Sequence, residues 1–354
     1  MKTIHLHIGN YKTGSTAIQH FLGDNREAFL KQGYYIPLTG FDGTAHHEWL
    51  WALRDEKMAR PKEELYRDLR AEIEPCGYEH ILASSEVFFN GLSAEAFQEA
   101  MGDGFQIRVI CFLRRQDLFL SAFHQQMIKH WRYRITKKPV VKDMVKGPSV
   151  QYLESIKRWE EVCGPDNIVV LPYEKSQMAD GLIGSFLLAL ERHVSQFSVR
   201  AEAKQVNTTI HRELLEFLRL ANNVEMTKEE HNALLEVLSN ISNRVKDSKF
   251  SKLSALSPKD RQDILDHFAQ DNVTIAQDYL GRQDGRLFYD DPPDLSEEWF
   301  EPEIDVEDMA KIFVGLWLDI KSKVDGVSRV MDKDMSGQVV RRLLSLVQSR
   351  GSKS

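Results

Sequence analysis

The sequence predicts an α/β protein with a doubly wound parallel sheet and a mainly helical C-terminal part. Short apolar runs typical of buried strands alternate with segments of helical periodicity over the first half of the chain. Such alternation is typical of a parallel sheet with helices on both faces. From about residue 177 onward the remaining patterns are mainly helical. The predicted strands cover residues 4–8, 34–36, 80–83, 107–113 and 167–171.

The first predicted strand leads into a glycine-flanked loop and then an amphipathic helix. Residues 9–16 read Gly-Asn-Tyr-Lys-Thr-Gly-Ser-Thr. Amides at a helix N-terminus lack intrahelical acceptors and the helix dipole attracts anions, so this pattern predicts a phosphate-binding loop. Gly9 and Gly14 have the spacing of a nucleoside-triphosphate loop. However, Ser15 stands where that loop has its lysine, and the lysine lies upstream as Lys12. The displacement argues against an ATP or GTP hydrolase.

The rearranged loop resembles the 5′-phosphosulfate loop of sulfotransferases that use 3′-phosphoadenosine 5′-phosphosulfate (PAPS). Bacterial carbohydrate-type members carry the form Lys-Thr-Gly-Ser/Thr-Thr, which residues 12–16 match. The resemblance implies that Lys12 stabilises the oxygen bridging sulfur and phosphate as it gains charge, while backbone amides hold the 5′-phosphate. Weaker matches extend the resemblance to this family over about residues 3–288. The donor-binding residues that it implies in this loop are Lys12, Thr13, Gly14, Ser15 and Thr16.

Two histidines follow the second predicted strand. In the sulfotransferases that the chain resembles, the base that deprotonates the acceptor hydroxyl is a histidine or a glutamate from this region. The resemblance therefore implies a catalytic His46 or His47, because imidazole accepts a proton near neutral pH. His47 is slightly favoured, and Glu48 is an alternative base. For either histidine, a surface position at the start of a helix is the structural alternative.

The third predicted strand ends at Ser84-Ser85-Glu86. This segment resembles the one that lines the acceptor side of the sulfuryl group in the same family. The resemblance implies that Glu86 binds the acceptor or serves as the base. Capping of the next segment by the two serines is the alternative.

The fourth predicted strand ends at Arg114 and Arg115, and a helix follows. This arrangement resembles the family's 3′-phosphate motif, which implies that Arg114 binds the 3′-phosphate in a forked contact and that Ser121 adds a hydroxyl. Seven positions separate these two residues, whereas the family commonly shows eight, which places Ala122 where the serine belongs. A strand-end arginine paired with Asp117 is the alternative.

Two domains are predicted. Residues 1–290 form the sulfotransferase-like α/β domain, which is helical from about residue 177, and residues 291–354 form an acidic linker, a helical extension and a disordered tail. Within the extension, an apolar stripe over residues 305–324 either packs on the domain or makes a contact in a homo-oligomer. Its members are Val306, Met309, Phe313, Trp317, Ile320 and Val324.

Composition narrows the function classes. The 354 residues include 42% hydrophobic and 28% charged residues, ordinary for a globular protein, and no apolar run is long enough to span a membrane. The net charge of −7 argues against nucleic acid as a partner. Three scattered cysteines indicate a reducing compartment, and the chain begins directly with the loop strand, so we expect no signal peptide and a cytoplasmic location.

Charge is unevenly distributed along the chain. Between Arg108 and Arg158 there are twelve Lys or Arg residues against three acids, whereas residues 290–308 carry ten acids and no bases. A polyanionic donor or acceptor would be attracted to the basic stretch.

The leading hypothesis is a PAPS-dependent sulfotransferase acting, without a metal, on a hydroxyl of a glycan or polysaccharide precursor. The alternatives are a P-loop kinase with an atypical loop and a non-catalytic subunit that binds a nucleotide or a glycan.

Overall fold

The computed structural model describes residues 1–197, 210–244, 254–306 and 308–320. Within them, one sheet of five parallel strands is formed in the order β2-β3-β1-β4-β5. The predicted α/β fold class is confirmed, and all five strands lie where the sequence placed them. Because β1 is central, the carboxyl ends of β1, β3 and β4 adjoin, where doubly wound sheets bind ligands. The strands are β1 (Lys2–His7), β2 (Tyr34–Tyr35), β3 (His80–Ser84), β4 (Phe105–Leu113) and β5 (Ile168–Pro172).

Helices connect and follow the strands. The helical segment after the loop is interrupted at Asn25, whose side chain donates to the carbonyl of Phe21 at 3.0 Å. The helical segment over residues 258–280 is likewise interrupted at Phe268. The sequence patterns did not predict three of the helices, α5, α7 and α8. The helices are α1 (Ser15–Asp24), α2 (Arg26–Lys31), α3 (His47–Leu53), α4 (Lys62–Ile73), α5 (Ala94–Met101), α6 (Gln116–Lys129), α7 (Val141–Met144), α8 (Tyr152–Cys163), α9 (Gly181–Ala189), α10 (Arg212–Ala221), α11 (Lys228–Arg244), α12 (Pro258–His267) and α13 (Ala269–Leu280).

The chain divides into two compact units. The first comprises Met1–Gln126, Lys138–Val206 and Ser254–Phe300, and it contains the whole sheet. One face of the sheet packs against α3, α4, α5, α8, α12 and α13, and the other packs against α1, α2 and α9. The second unit comprises Met127–Lys137, Asn207–Leu253 and Glu301–Ser354. The sequence-based boundary near residue 290 stays a prediction.

The second unit has its own core. Apolar side chains of α10, α11 and the helix over residues 308–320 pack together, including Leu218, Leu238 and Ile312. The side chains of the predicted apolar stripe at residues 306, 309, 313, 317 and 320 are instead exposed, by 47% to 87%. The predicted helix is therefore present, but its predicted apolar stripe is exposed. Ile312 is instead the residue of this helix that is fully packed. Val324 and the predicted disordered tail lie outside the described residues.

The two faces of β1 differ in chemistry. Ile4 and Leu6 pack into one core, whereas the side chains of His5 and His7 are buried on the other side of the strand. His7 contacts the rings of Phe112 and Phe186, and its Nδ1 lies 2.8 Å from the hydroxyl of Ser84. Burial lowers the pKa of His7 to about 3, and burial together with the nearby charges of His80, Arg108 and Arg192 lowers that of His5 to about 3. Both imidazoles are therefore neutral in the folded protein near neutral pH.

Buried neutral histidines predict a loss of stability on mild acidification. His46, which is buried in the segment after β2, is a third such histidine, because burial lowers its pKa to about 4. In the unfolded chain each histidine takes a proton below its ordinary pKa of about 6.5, whereas the folded protein does not until its lower pKa is reached. The free energy of unfolding should therefore fall between pH 6.5 and 5 by about 2 kcal/mol per histidine.

Urea unfolding of His46→Asn across this pH range tests the expectation. The variant should show a flatter pH dependence than the wild type, whereas His20→Asn, which alters an exposed histidine, should not. Equal slopes for wild type and His46→Asn would contradict the assignment of His46 as a neutral buried group.

Candidate functional site

The loop after β1 turns sharply because three of its residues adopt left-handed backbone conformations. Gly9 has a φ of 51°, Lys12 of 64° and Gly14 of 81°. A Cβ atom added to Gly9 would lie 2.4 Å from Oγ of Ser15 and 3.4 Å from Cβ of Glu86. Glycine is therefore required where the loop passes between α1 and the end of β3. The turn brings the start of α1 next to Glu86.

Hydrogen bonds within the loop separate its structural side chains from its exposed ones. The hydroxyl of Thr13 donates to the carbonyl of Asn10 at 2.6 Å and accepts from the Asn10 amide, while the Ser15 hydroxyl donates to the same carbonyl at 3.2 Å. Both side chains are buried. Lys12 and Thr16, by contrast, are exposed. Of the side chains predicted to bind the donor here, these two are the ones that face solvent.

Helix α1 presents its N-terminus at this loop. Gly14 is its left-handed N-cap, and among the described residues no side chain caps it. The amides of Ser15 and Thr16 belong to the first turn, where amides have no intrahelical acceptor. Together with the positive end of the helix dipole they form an anion-binding position.

Two cations flank this position. Nη1 of Arg114, at the end of β4, donates to the carbonyl of Lys12 at 3.2 Å. Desolvation lowers the pKa of Lys12, and the positive charge of Arg114 lowers it further; desolvation also lowers the pKa of Arg114. Within the described part of the chain, no carboxylate lies within ion-pair distance of either residue. An anion bound at the loop would relieve the repulsion between them.

The neighbouring arginine has a structural role instead. Arg115 is buried and pairs with the fully buried Asp117 at 2.8 Å, and it donates to the carbonyls of Asp290 and Asp291. Arg261 approaches the same carboxylate at 2.9 Å. The pairing with Asp117 that the sequence offered as an alternative for Arg114 therefore belongs to Arg115, which leaves Arg114 at the loop.

Ser121 lies on α6 with its side chain buried. Its hydroxyl is 3.2 Å from the hydroxyl of Ser254. A contact between Ser121 and a phosphate stays a prediction.

The two candidate histidines have different environments. His46 is buried; its Nε2 lies 3.1 Å from the carbonyl of Pro37, and its Nδ1 accepts from the amide of Ser84 at 3.4 Å. With both ring nitrogens facing backbone groups and a pKa lowered by burial to about 4, His46 positions the segment before α3. His47 is partly exposed at the first position of α3. These contacts favour His47 over His46 as a base.

His47 and Glu86 lie side by side at the end of β3. Nε2 of His47 is 3.8 Å from Oε2 of Glu86, and its Nδ1 is 2.9 Å from the hydroxyl of the buried Ser85. Ser85 therefore contacts His47, and its hydroxyl does not cap the turn that follows. The sequence did not indicate that Gln19, on α1, also donates to Oε2 of Glu86 at 2.5 Å. The only feature of the sequence that pointed to Gln19 was its position one helical turn after Ser15, which places both residues on the same side of α1.

Glu48, the remaining alternative base, is held by Arg60. Nε of Arg60 donates to Oε1 of Glu48 at 3.1 Å and Nη2 to Oε2 at 3.2 Å. Partial burial alone would raise the pKa of Glu48, but the hydrogen bonds from Arg60 outweigh it and lower the pKa. A carboxylate paired with an arginine in this way is a weak base. Among the described residues no lysine or arginine lies within ion-pair distance of Glu86, which favours Glu86 over Glu48.

Comparison with known proteins finds similar solved structures of low sequence identity. The chain matches no family model and no curated protein. It is similar to a sulfotransferase from Alicyclobacillus acidocaldarius, with a TM-score of 0.36 and 14% identity over 68% of this chain and 96% of the other. It is also similar to the sulfotransferase domain of the Synechococcus PCC 7002 olefin synthase, with a TM-score of 0.34 and 12% identity over 70% of this chain and 96% of that domain.

Two absences hold for the part of the chain that the structure describes. It contains no cluster of three or more His, Cys, Asp or Glu side chains placed to hold a metal ion. Among its helices, none combines the length and the apolar character needed to cross a membrane.

The contrast between the two arginines predicts different consequences for stability. Arg115→Ala should lower the free energy of unfolding by about 3 kcal/mol, at the lower end for breaking a buried ion pair, because Arg261 keeps one contact with Asp117. Arg114→Ala, which removes no ion pair within the described residues, should change it by less than about 1 kcal/mol. Urea unfolding measures both. A larger loss for Arg114→Ala would contradict these assignments.

Proposed function

We propose that the protein is a PAPS-dependent sulfotransferase that transfers a sulfuryl group to a hydroxyl on a carbohydrate. The supporting observation is the meeting of three features at the carboxyl edge of the sheet. The uncapped N-terminus of α1 follows β1, Arg114 follows β4, and the His47–Glu86 pair lies at the end of β3. An anion site with two cations next to a proton acceptor is the arrangement that sulfuryl transfer requires.

The described residues fit the charge of the donor. PAPS supplies the sulfuryl group when bound. In this proposal the amides of Gly14, Ser15 and Thr16 hold its 5′-phosphate, and Arg114 holds the 3′-phosphate through its forked guanidinium. Lys12 lies at the same loop and stabilises the oxygen that gains charge on transfer. The cationic side chains perform this role, so we propose transfer without a metal.

The acceptor enters this proposal as a hydroxyl whose proton must be removed. His47 and Glu86 are the candidates for this step, since both are partly exposed and within 3.8 Å of each other. His46 is proposed to position the loop rather than to take the proton. The glycan nature of the acceptor, a cytoplasmic location and assembly through the helix over residues 305–324 stay predictions from the sequence.

A P-loop kinase is the alternative enzyme, and the loop weighs against it. The position after Gly14 is held by Ser15, whose hydroxyl is used within the loop. The lysine that would hold the β- and γ-phosphates of ATP is therefore displaced to Lys12. A non-catalytic subunit would not need the paired His47 and Glu86.

The experiment that tests the proposal is transfer of ³⁵S from labelled PAPS onto a panel of glycosides, oligosaccharides, glycolipids and lipids. We expect labelling of at least one hydroxyl acceptor, unchanged by a chelator, and no transfer from γ-labelled ATP. Phosphate transfer with no sulfate transfer would establish the kinase. Donor binding without transfer to any member of the panel would favour the non-catalytic subunit.

Lys12→Ala should lower kcat far more than it weakens donor binding, because the contact of Lys12 strengthens as the leaving oxygen gains charge. A loss of about 10²–10³-fold in kcat is expected for one such contact. Binding is measured separately as the rise in melting temperature caused by 3′-phosphoadenosine 5′-phosphate (PAP), which should largely persist. Lys31→Ala, on the exposed end of α2, is the matched control. A normal kcat with a raised donor KM would refute the catalytic role of Lys12.

A further inference from the structure

Gln19 is a buried side chain whose hydrogen bond points into the candidate site. It lies one helical turn after Ser15 on α1 and is 4% exposed. Its amide donates to Oε2 of Glu86 at 2.5 Å, from the element that also carries the anion-binding N-terminus. Buried amides normally keep their hydrogen bonds, and one made to a carboxylate is stronger than a neutral one. Gln19 therefore fixes the position of Glu86 relative to the loop.

The proton on His47 can be placed from its neighbours. Nε2 faces the same Oε2 of Glu86 at 3.8 Å. A nitrogen lone pair directed at a carboxylate oxygen would be repelled, so the neutral ring carries its proton on Nε2. Nδ1 then accepts the hydrogen bond from the hydroxyl of Ser85, which is fully buried and 2.9 Å away. In this tautomer the Nε2–H of His47 faces Glu86, at a distance that allows an electrostatic contact but is too long for a hydrogen bond.

We propose that Gln19 is a positioning residue that, together with His47, holds Oε2 of Glu86, so that Oε1 is the oxygen that meets the acceptor hydroxyl. All contacts of this carboxylate that the described residues show are made by Oε2. The hydrogen bond from Gln19 and the 3.8 Å contact with Nε2 of His47 both restrain this one oxygen, which leaves Oε1 for the acceptor. The inference rests on the proposed function and deepens it, since it assigns the proton acceptor to Glu86 and the orienting role to Gln19.

The proton and electron balance of the step is simple. The hydroxyl proton of the acceptor moves to Oε1 of Glu86 as the acceptor oxygen forms its bond to sulfur. The bond between sulfur and the bridging oxygen breaks, and its electron pair stays on the departing phosphate, next to Lys12. Proton loss to solvent then regenerates the carboxylate, which Gln19 and His47 still hold.

Kinetics of Gln19→Leu test the positioning role. The variant keeps the size of the side chain but cannot donate, and we expect kcat to fall about 10–100-fold, as for a misplaced catalytic group. The donor KM and the PAP-induced rise in melting temperature should stay near wild type. Gln98→Leu, which removes another partly buried glutamine amide on α5, should leave kcat unchanged. The assay uses labelled PAPS and the acceptor of the panel that is labelled fastest.

Two kinetic results would overturn the inference. A wild-type kcat in Gln19→Leu would remove the positioning role. Additive losses in the double variant Gln19→Leu, Glu86→Gln would show that Gln19 does not act through Glu86, because residues that work as a unit are strongly non-additive.

Nitrogen NMR of the histidine rings gives a readout that needs no activity. In ¹⁵N-histidine-labelled protein at about pH 8, above the usual imidazole pKa, the His47 signals are identified by their loss in His47→Asn. We expect a proton on Nε2 in the wild type and a mixture of tautomers in Gln19→Leu. A proton on Nδ1 in the wild type would refute the arrangement. If no acceptor is labelled, the proposed function fails, while this spectrum still decides the geometry around Glu86.

Discussion

The close approach of the Gly9 backbone to Ser15 is the constraint on which the loop depends. A Cβ atom at Gly9 would lie 2.4 Å from Oγ of Ser15, so the loop closes in this way only because this residue has no side chain. Lys12 completes the turn at a φ of 64°, a conformation that costs a non-glycine residue about 1–3 kcal/mol. Residues held in such conformations are characteristic of ligand-binding loops. The strain is consistent with an anion-binding role for Lys12.

Opposite charges are kept apart at this turn. Lys12 and Arg114 lie on the loop side, and the carboxylate of Glu86 is held by Gln19 and His47. If Glu86 paired with Lys12, the pair would neutralise one of the two cations at the loop. The hydrogen bond from Gln19 makes that pairing less favourable, because it stabilises the carboxylate and a new ion pair would have to replace it. Among the described residues, Lys12 and Arg114 therefore have no carboxylate partner, while Glu86 keeps its contacts with Gln19 and His47.

The sequence predicted the sheet well because buried parallel strands are short continuous apolar runs, and all five of these runs are strands. Its resemblance to the sulfotransferase loop also identified Lys12, Arg114, His47 and Glu86 as residues that the structure places at one edge. The sequence could not decide which of His46 and His47 is the better candidate base, because adjacent residues at the start of a helix differ only in the direction that their side chains face. The sequence assigned the phosphate contact to Arg114 but left open a pairing of Arg114 with Asp117, and the structure shows that the buried Asp117 pairs with Arg115.

Gln19 shows most clearly what a sequence alone does not reveal. On α1 it reads as a polar residue of an amphipathic helix, and its partner is 67 residues away in the chain. The contact arises because β1 and β3 are neighbours in the sheet, which brings the helix after β1 against the end of β3. In the mechanism that we propose, a carboxylate base next to an anionic donor would be repelled by it. The hydrogen bond from Gln19 would offset part of that repulsion, so the contact that positions Glu86 would also stabilise its charge.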